Sequence, residues 1–258
     1  MKVDSIIKIL NEKLELKSQE SWDNGGLQIG DYCSDINNIM LTMDINLKLI
    51  EYAINNNINL IITHHPFLFS GLKSIDFSTY EGSLIKLMIN NDINLYSMHT
   101  SYDMAEYGVT HSLAKILKID SYEVLHVVNP DGSGYGGIGC VEPINIVEFA
   151  KQIKKLLNAD YIKLYCNKDY KTVRKAAFCG GSGSDFIKDA IAKEADVYIT
   201  GDIKYHQAQF ALQNNLCIID AGHYNTEYQS LQNIKNILDT EGLKVTLMEV
   251  NTVNEIIL

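Results

Sequence analysis

Basic residues are scarce in this 258-residue sequence: 22 Lys and Arg face 32 Asp and Glu, a formal charge of −10. Each neutralised phosphate of a nucleic acid needs a Lys or Arg, so this balance argues against a nucleic-acid partner. Long apolar runs are missing too, and the longest, over residues 58–63, is interrupted by Asn59. A membrane-spanning helix needs about 18 or more consecutive apolar residues, which excludes such spans. No C-x-x-C pair occurs, and the five cysteines (Cys33, Cys140, Cys166, Cys179, Cys217) are odd in number and scattered. They read as reduced core thiols, with neither disulfides nor a zinc ribbon. The start, Met1-Lys2-Val3-Asp4-Ser5, has no signal-peptide pattern, so a cytoplasmic protein is expected. What remains is 46% hydrophobic and 21% charged, an ordinary globular composition long enough for one large domain or two medium ones.

Helical and strand patterns alternate along the chain. Val3, Ile6, Ile7, Ile9, Leu10 and Leu14 approach the spacing of a helix over 3–16, and further helices are predicted near 46–57, 79–91 and 109–118. Ile-rich runs at 39–43, 60–63 and 93–98 lie between them. Buried strands separated by helices pair in parallel, with helices on the sheet faces. Residues 122–128 and 135–141 read as a hairpin around Asn129-Pro130-Asp131-Gly132. Alternation then resumes: helices at 145–157, 185–194, 204–214 and 226–240, and strands at 160–166, 172–179, 196–200, 216–219 and 243–249.

The chain also repeats itself. Asn59-Leu60-Ile61-Ile62-Thr63-His64-His65 is echoed by Asp196-Val197-Tyr198-Ile199-Thr200-Gly201-Asp202. Ile93-Asn94-Leu95-Tyr96-Ser97-Met98-His99 is echoed, in the same order, by the run from Leu216 to His223. One such match is common in parallel α/β proteins; two in sequence predict an α/β fold of two related lobes.

Polar residues gather just past the C-terminal ends of these strands, where open α/β sheets bind ligands. Thr63-His64-His65-Pro66 offers two imidazoles leaving a buried strand. His99-Thr100-Ser101-Tyr102-Asp103 offers a carboxylate, with His99 as a ligand or as its orienting partner. In His223-Tyr224-Asn225-Thr226-Glu227, a helix places His223 and Glu227 one turn apart. Alone, each has an ordinary structural explanation: a core histidine, a loop acid, or an acid complementing a helix N-terminus. Together His64, His65, Asp103, His223 and Glu227 exceed what one zinc takes, and they suit two divalent metal ions sharing a carboxylate. Iron, zinc and manganese all accept imidazole and carboxylate. Asp202, Lys204 and His206 are candidates for substrate contact, and His99 and His206 for proton transfer. The loop Cys179-Gly180-Gly181-Ser182-Gly183-Ser184-Asp185 reads equally as an anion cradle, through Gly181, Ser182 and Gly183, or as a tight turn. Trp22-Asp23-Asn24-Gly25-Gly26-Leu27 holds the single Trp in a polar turn.

These motifs, in order, resemble the Nif-three-like dinuclear-metal-centre family, whose members are often called GTP cyclohydrolase I type 2 homologues. The resemblance runs along essentially the whole chain. It implies a duplicated α/β architecture with a two-metal site in the cleft between lobes, and it maps the family's ligands onto His64, His65, Asp103, His223 and Glu227. It further implies a toroidal homohexamer built as a trimer of dimers. The chain ends would return to the first lobe, giving 1–125 plus 223–258 as lobe one and 126–222 as lobe two, without an inserted domain. Phe67 stands where Leu is commoner, and Ser101-Tyr102 where Asn-Leu is frequent; neither replaces a ligand. The expected function is a metal-dependent hydrolase of a nucleotide or other phosphorylated small molecule. The competing expectation is a metal-handling or scaffold protein with no substrate.

Overall fold

The amphipathic spacing at the start of the chain produces a helix, α1 (Val3–Leu14), that buries Val3, Ile6, Ile7, Leu10 and Leu14 along one face. The computed structural model describes residues 1–167 and 171–253. After α1 come β1 (Gly26–Ile29), β2 (Asn38–Thr42), α2 (Leu47–Asn55), β3 (Leu60–Thr63), α3 (Tyr80–Asn90), β4 (Asn94–Ser97) and α4 (Thr100–Asp103). The middle of the chain forms α5 (Val109–Leu117), β5 (Glu123–Val127), β6 (Gly134–Asn145), α6 (Ile146–Leu156), β7 (Lys163–Tyr165), β8 (Thr172–Phe178), α7 (Ile187–Ala192), β9 (Val197–Thr200), α8 (Tyr205–Gln213), β10 (Cys217–Asp220) and α9 (His223–Glu227). The chain then adds α10 (Leu231–Thr240) and β11 (Lys244–Leu247).

The chain divides into two units, Met1–Tyr102 with the segment from Leu231 onward, and Asp103–Ser230. In the first, the strand order is β1-β4-β3-β2-β11. β11, β2, β3 and β4 run parallel, and β1 pairs antiparallel with β4. β3 is buried along its whole length, so it accepts Leu60, Ile61 and Ile62 without alternation. On one face Met40, Ile61 and Leu95 pack against Leu49 and Ile50 of α2 and Leu84 and Met88 of α3. Each such side chain contributes about 1.5–3 kcal/mol through its burial. In the second unit the order is β5-β6-β8-β9-β10-β7. β8, β9 and β10 are parallel, β7 is antiparallel to β10, and β5 and β6 form a hairpin. Helix α6 and strand residues Val173, Val197 and Ile219 build one core, while Ala177, Tyr198 and Ile218 face Ile187, Ala208 and Ala211 in another.

The duplication is visible as topology. From α1 to β4 the order is helix, strand, strand, helix, strand, helix, strand, and from α6 to β10 it is the same. In each copy the first strand lies antiparallel at the edge beside the last. The fold is thus mixed α/β in two related lobes.

Several expectations need correction. The Ile-rich runs suggested parallel pairing, which holds for β2, β3 and β4, whereas the edge strands β1 and β7 run antiparallel to β4 and β10. Five free thiols were expected; instead Cys166 and Cys217 form a disulfide, with Cα atoms 4.7 Å apart. The antiparallel pairing of Tyr165 with Ile218 sets the two cysteines beside one another across 51 residues of sequence. Cys33 and Cys140 are exposed rather than in the core, and Cys179 is buried. The helix expected over 226–240 is two, α9 and α10. The divide between units falls after Tyr102, not near 125, because α5 packs on α6, β6 and α9 and contributes Leu113 and Leu117 to the second unit's core. Among the described residues no helix is long and apolar enough to cross a membrane.

Candidate metal-binding residues

In the first unit, His64 and His65 continue the parallel ladder beyond β3, their N–H groups donating to the carbonyls of Thr42 (3.2 Å) and Met43 (3.0 Å). That ladder fixes the backbone, and the side chains are fixed in turn. His64 is 1% exposed, and its Nδ1 lies 2.9 Å from the Met98 carbonyl. A carbonyl only accepts, so His64 carries its proton on Nδ1 and presents a lone pair on Nε2. His65 Nδ1 donates to Asp44 Oδ1 at 2.8 Å, and Asp44 Oδ2 accepts from Thr252 Oγ1 at 3.2 Å. His99, just past β4, donates from Nδ1 to Asp23 Oδ1 at 2.8 Å. Asp23 also accepts from the Thr100 N–H (3.1 Å) and hydroxyl (2.6 Å) and from the Asn24 N–H (2.8 Å). Burial alone would raise the Asp23 carboxyl, but the bonds from His99 and Thr100 outweigh it and hold the group at about 2. Asp23 is therefore a permanent anion behind His99. The three rings cluster, with centroids 4.9 Å (His64 to His65), 5.5 Å (His64 to His99) and 5.8 Å (His65 to His99) apart.

In the second unit the same logic recurs on α9. His223 Nδ1 donates to Asp202 Oδ2 at 2.7 Å, and Nε2 lies 3.1 Å from Glu227 Oε2, one turn along the helix. Glu227 is 5% exposed. The glycine loop accommodates it: a Cβ on Gly181, whose φ is +61°, would fall 2.1 Å from Glu227 Oε1. A side chain at 181 is thus barred by both space and backbone conformation. The thiol of Cys179 is pushed well up by burial first, then by the Asp103 and Glu227 carboxylates, so both acids act on one buried neutral sulfur. Asp202 itself sits at φ +59°, a left-handed conformation that Asp tolerates.

The remaining candidates are placed differently. Two N–H groups of the supposed anion cradle are already engaged, that of Gly181 by Thr226 Oγ1 (3.0 Å) and that of Gly183 by Thr200 Oγ1 (3.0 Å), while Ser182 is exposed. The loop therefore works as a turn that makes room for Glu227. Lys204 caps α8, its N–H donating to Gln207 Oε1 at 2.7 Å, and its side chain is exposed. His206 is exposed on the first turn of α8, 3.5 Å from Gln209 Oε1, and joins neither imidazole group. Asp202 serves as the partner of His223. Sequence reasoning passed over Asp44 and the anchoring role of Asp23. The available signal for Asp44 was its place just past β2, at the sheet end that also carries His64 and His65.

Every imidazole of these two groups is held through Nδ1, three of them by a carboxylate, which makes Nε2 the candidate ligand atom of each ring. Carboxylate-anchored imidazoles of this kind are the usual form of metal-binding histidine. Imidazole and carboxylate are donors of the kind that can hold a metal ion.

Comparison with known proteins identifies the family. The family model Duf34/NIF3 (NGG1p interacting factor 3) matches residues 1–254. A Campylobacter jejuni protein named GTP cyclohydrolase 1 type 2 homolog is 34% identical over 249 residues, covering 96% of both chains. Reduced HcgD from Methanocaldococcus jannaschii superposes with a TM-score of 0.83 at 27% identity, covering 96% of this chain and 97% of that one. A Bacillus cereus protein related to NIF3 superposes at TM-score 0.88 over 100% of this chain and 99% of the other; at 23% identity it speaks for the fold alone. With a family model matched along nearly its whole length, the chain belongs to the Duf34/NIF3 family.

Proposed function

We propose that this protein binds two divalent metal ions through His64, His65, Asp103, His223 and Glu227 and hydrolyses a nucleotide or other phosphorylated small molecule. The observation that carries the reading is the anchoring of each imidazole at Nδ1, which presets Nε2 for a cation in both units. Iron, zinc or manganese suits the donors, and such an ion supplies an activated water near neutral pH. The chain's own residues do the rest. Asp44 and Asp202 orient His65 and His223. His99, backed by the anionic Asp23, is placed to accept and return a proton at Nε2. Association into a homohexameric ring belongs to the same reading; the exposed Leu72, Ile75, Phe77 and Tyr80 of the first unit support association.

The test is metal analysis of anaerobically purified protein, followed by turnover assays of the iron-, zinc- and manganese-loaded forms against GTP and a nucleotide panel. Bound metal and turnover that both vanish in a His64→Ala, Asp103→Ala variant are expected. Metal retained without turnover on any substrate would replace the hydrolase by a metal-handling role. No bound metal would overturn the reading.

A further inference from the structure

Large aromatic side chains on a protein surface are ordinarily turned inward, yet Trp22 is 57% exposed and Phe69 is 54% exposed. They lie together, ring centroids 6.1 Å apart and planes at 44°, on two loops of the first unit far apart in sequence. These loops are tied to one another. The Asn24 side-chain amide donates to the Leu68 carbonyl, the Leu68 N–H donates to Gln28 Oε1 at 2.7 Å, and the Gln28 amide donates back to the Asn24 carbonyl. Beneath Trp22, the buried Asp23 is fastened to His99 and Thr100. The two rings are therefore held in place while their faces remain in solvent.

Their position relates them to the imidazole cluster. The His99 ring lies edge-on to both, 6.1 Å from Trp22 at 80° and 6.4 Å from Phe69 at 74°. The same imidazole is 5.5 Å from His64 and 5.8 Å from His65. A flat molecule lying on the exposed rings is thus one ring's width from the candidate metal ligands. Aromatic faces are sequence-tolerant stacking platforms for planar heterocycles, because every such ring offers a π-face. Fixing the platform beforehand removes the ordering cost of binding.

We propose that Trp22 and Phe69 form a stacking shelf for the planar heteroaromatic ring of the substrate, holding it beside His99. The proposal deepens the hydrolase reading and rests on it for the substrate class. Sugar and alkyl C–H groups can also pack on aromatic faces, but a fused heterocycle such as a nucleobase stacks flat on them and matches the substrate class of the proposed function.

Trp22 is the only tryptophan of the sequence, so its emission reports on the shelf alone. Metal-free and metal-loaded protein are titrated with GTP, GMP and ribose 5-phosphate. Saturable quenching by GTP and GMP, and none by ribose 5-phosphate, is expected. Phe69→Ala weakens the quenching affinity roughly tenfold, the usual effect of losing one stacking ring. Trp22→Ala, read by calorimetry with GMP, weakens binding by a similar factor, while Trp22→Phe keeps most of it; circular dichroism verifies that each variant is folded. Quenching that is absent, or equal for ribose 5-phosphate, overturns the shelf. So does Trp22 emission that follows protein concentration, with Trp22→Ala dissociating the assembly, since a second copy would then cover the rings. Failure here leaves metal content and turnover untouched, whereas failure of the hydrolase reading leaves the quenching intact.

Discussion

The two copies of the repeat end their third strands on the same pattern and then part company. After β3 come His64 and His65; after β9, at the matching positions, come Gly201 and Asp202. In the first copy the position of His64 carries a buried imidazole. In the second it must be empty, because a Cβ on Gly201 would fall 2.6 Å from the backbone nitrogen of His223. His65 is a candidate ligand held by Asp44, whereas Asp202 is itself the carboxylate that holds His223. After the fourth strands the copies stay alike: His99 and Asp103 in one, His223 and Glu227 in the other, each a histidine and an acid four residues apart. Duplication thus preserved the sheet end as a place for polar side chains while exchanging ligand for anchor within it. The backbone ladder, set by burial of Ile-rich strands, constrains where the side chains emerge and not which ones they are.

Removing the ligand from the first copy is expected to have the largest effect. His64→Ala should abolish metal retention through dialysis, measured by elemental analysis, whereas His206→Ala should leave it unchanged; equal loss in both would erase the distinction between clustered and solitary histidines. Gly201→Ala tests the empty position. The added methyl meets backbone, so a loss of about 2–3 kcal/mol in denaturant unfolding is expected, as for other overpacked sites. A neutral outcome would show that the second copy has room for a side chain where the first carries His64.

Acid titration should expose the Asp23 anchor behind His99. Its folded value of about 2 lies below the ordinary 3.8. Folding therefore gains stability above pH 4, and that gain is lost as pH falls through about 2. The gain is on the order of 2 kcal/mol. Thermal unfolding across this window should show that acid limb in the natural protein and a shallower one in Asp23→Asn. The smallest effects belong to the anchors. Asp44→Asn and Asp202→Asn should each weaken metal binding about tenfold, read by competition with a chelator. A much larger effect of Asp202→Asn would make it a ligand in its own right.

Much of this was open to reading from the chain. Apolar runs bounded by polar turns marked β2, β3, β4, β9 and β10, because strands buried on both faces are apolar along most of their length. His64, His65, His99 and His223 stood out since each follows such a run directly. Short edge strands were harder: β1 begins at Gly26 and is half-buried along its length, so it shows no apolar alternation. Asp44 looked like any loop acid until the fold set it 2.8 Å from His65. The glycine loop read as a cradle or a turn with equal weight, and its N–H partners, Thr226 and Thr200, lie 45 and 17 residues away.

Local pattern, then, determined the alternation of elements, the duplication and the residue types gathered at the strand ends, because burial periodicity and strand-end position are written in neighbouring residues. Pairing across long separations was decided only by the tertiary structure. It closed the Cys166–Cys217 bridge, joined Asp23 to His99, and brought Trp22 to Phe69, because each of those contacts depends on where two distant segments come to lie.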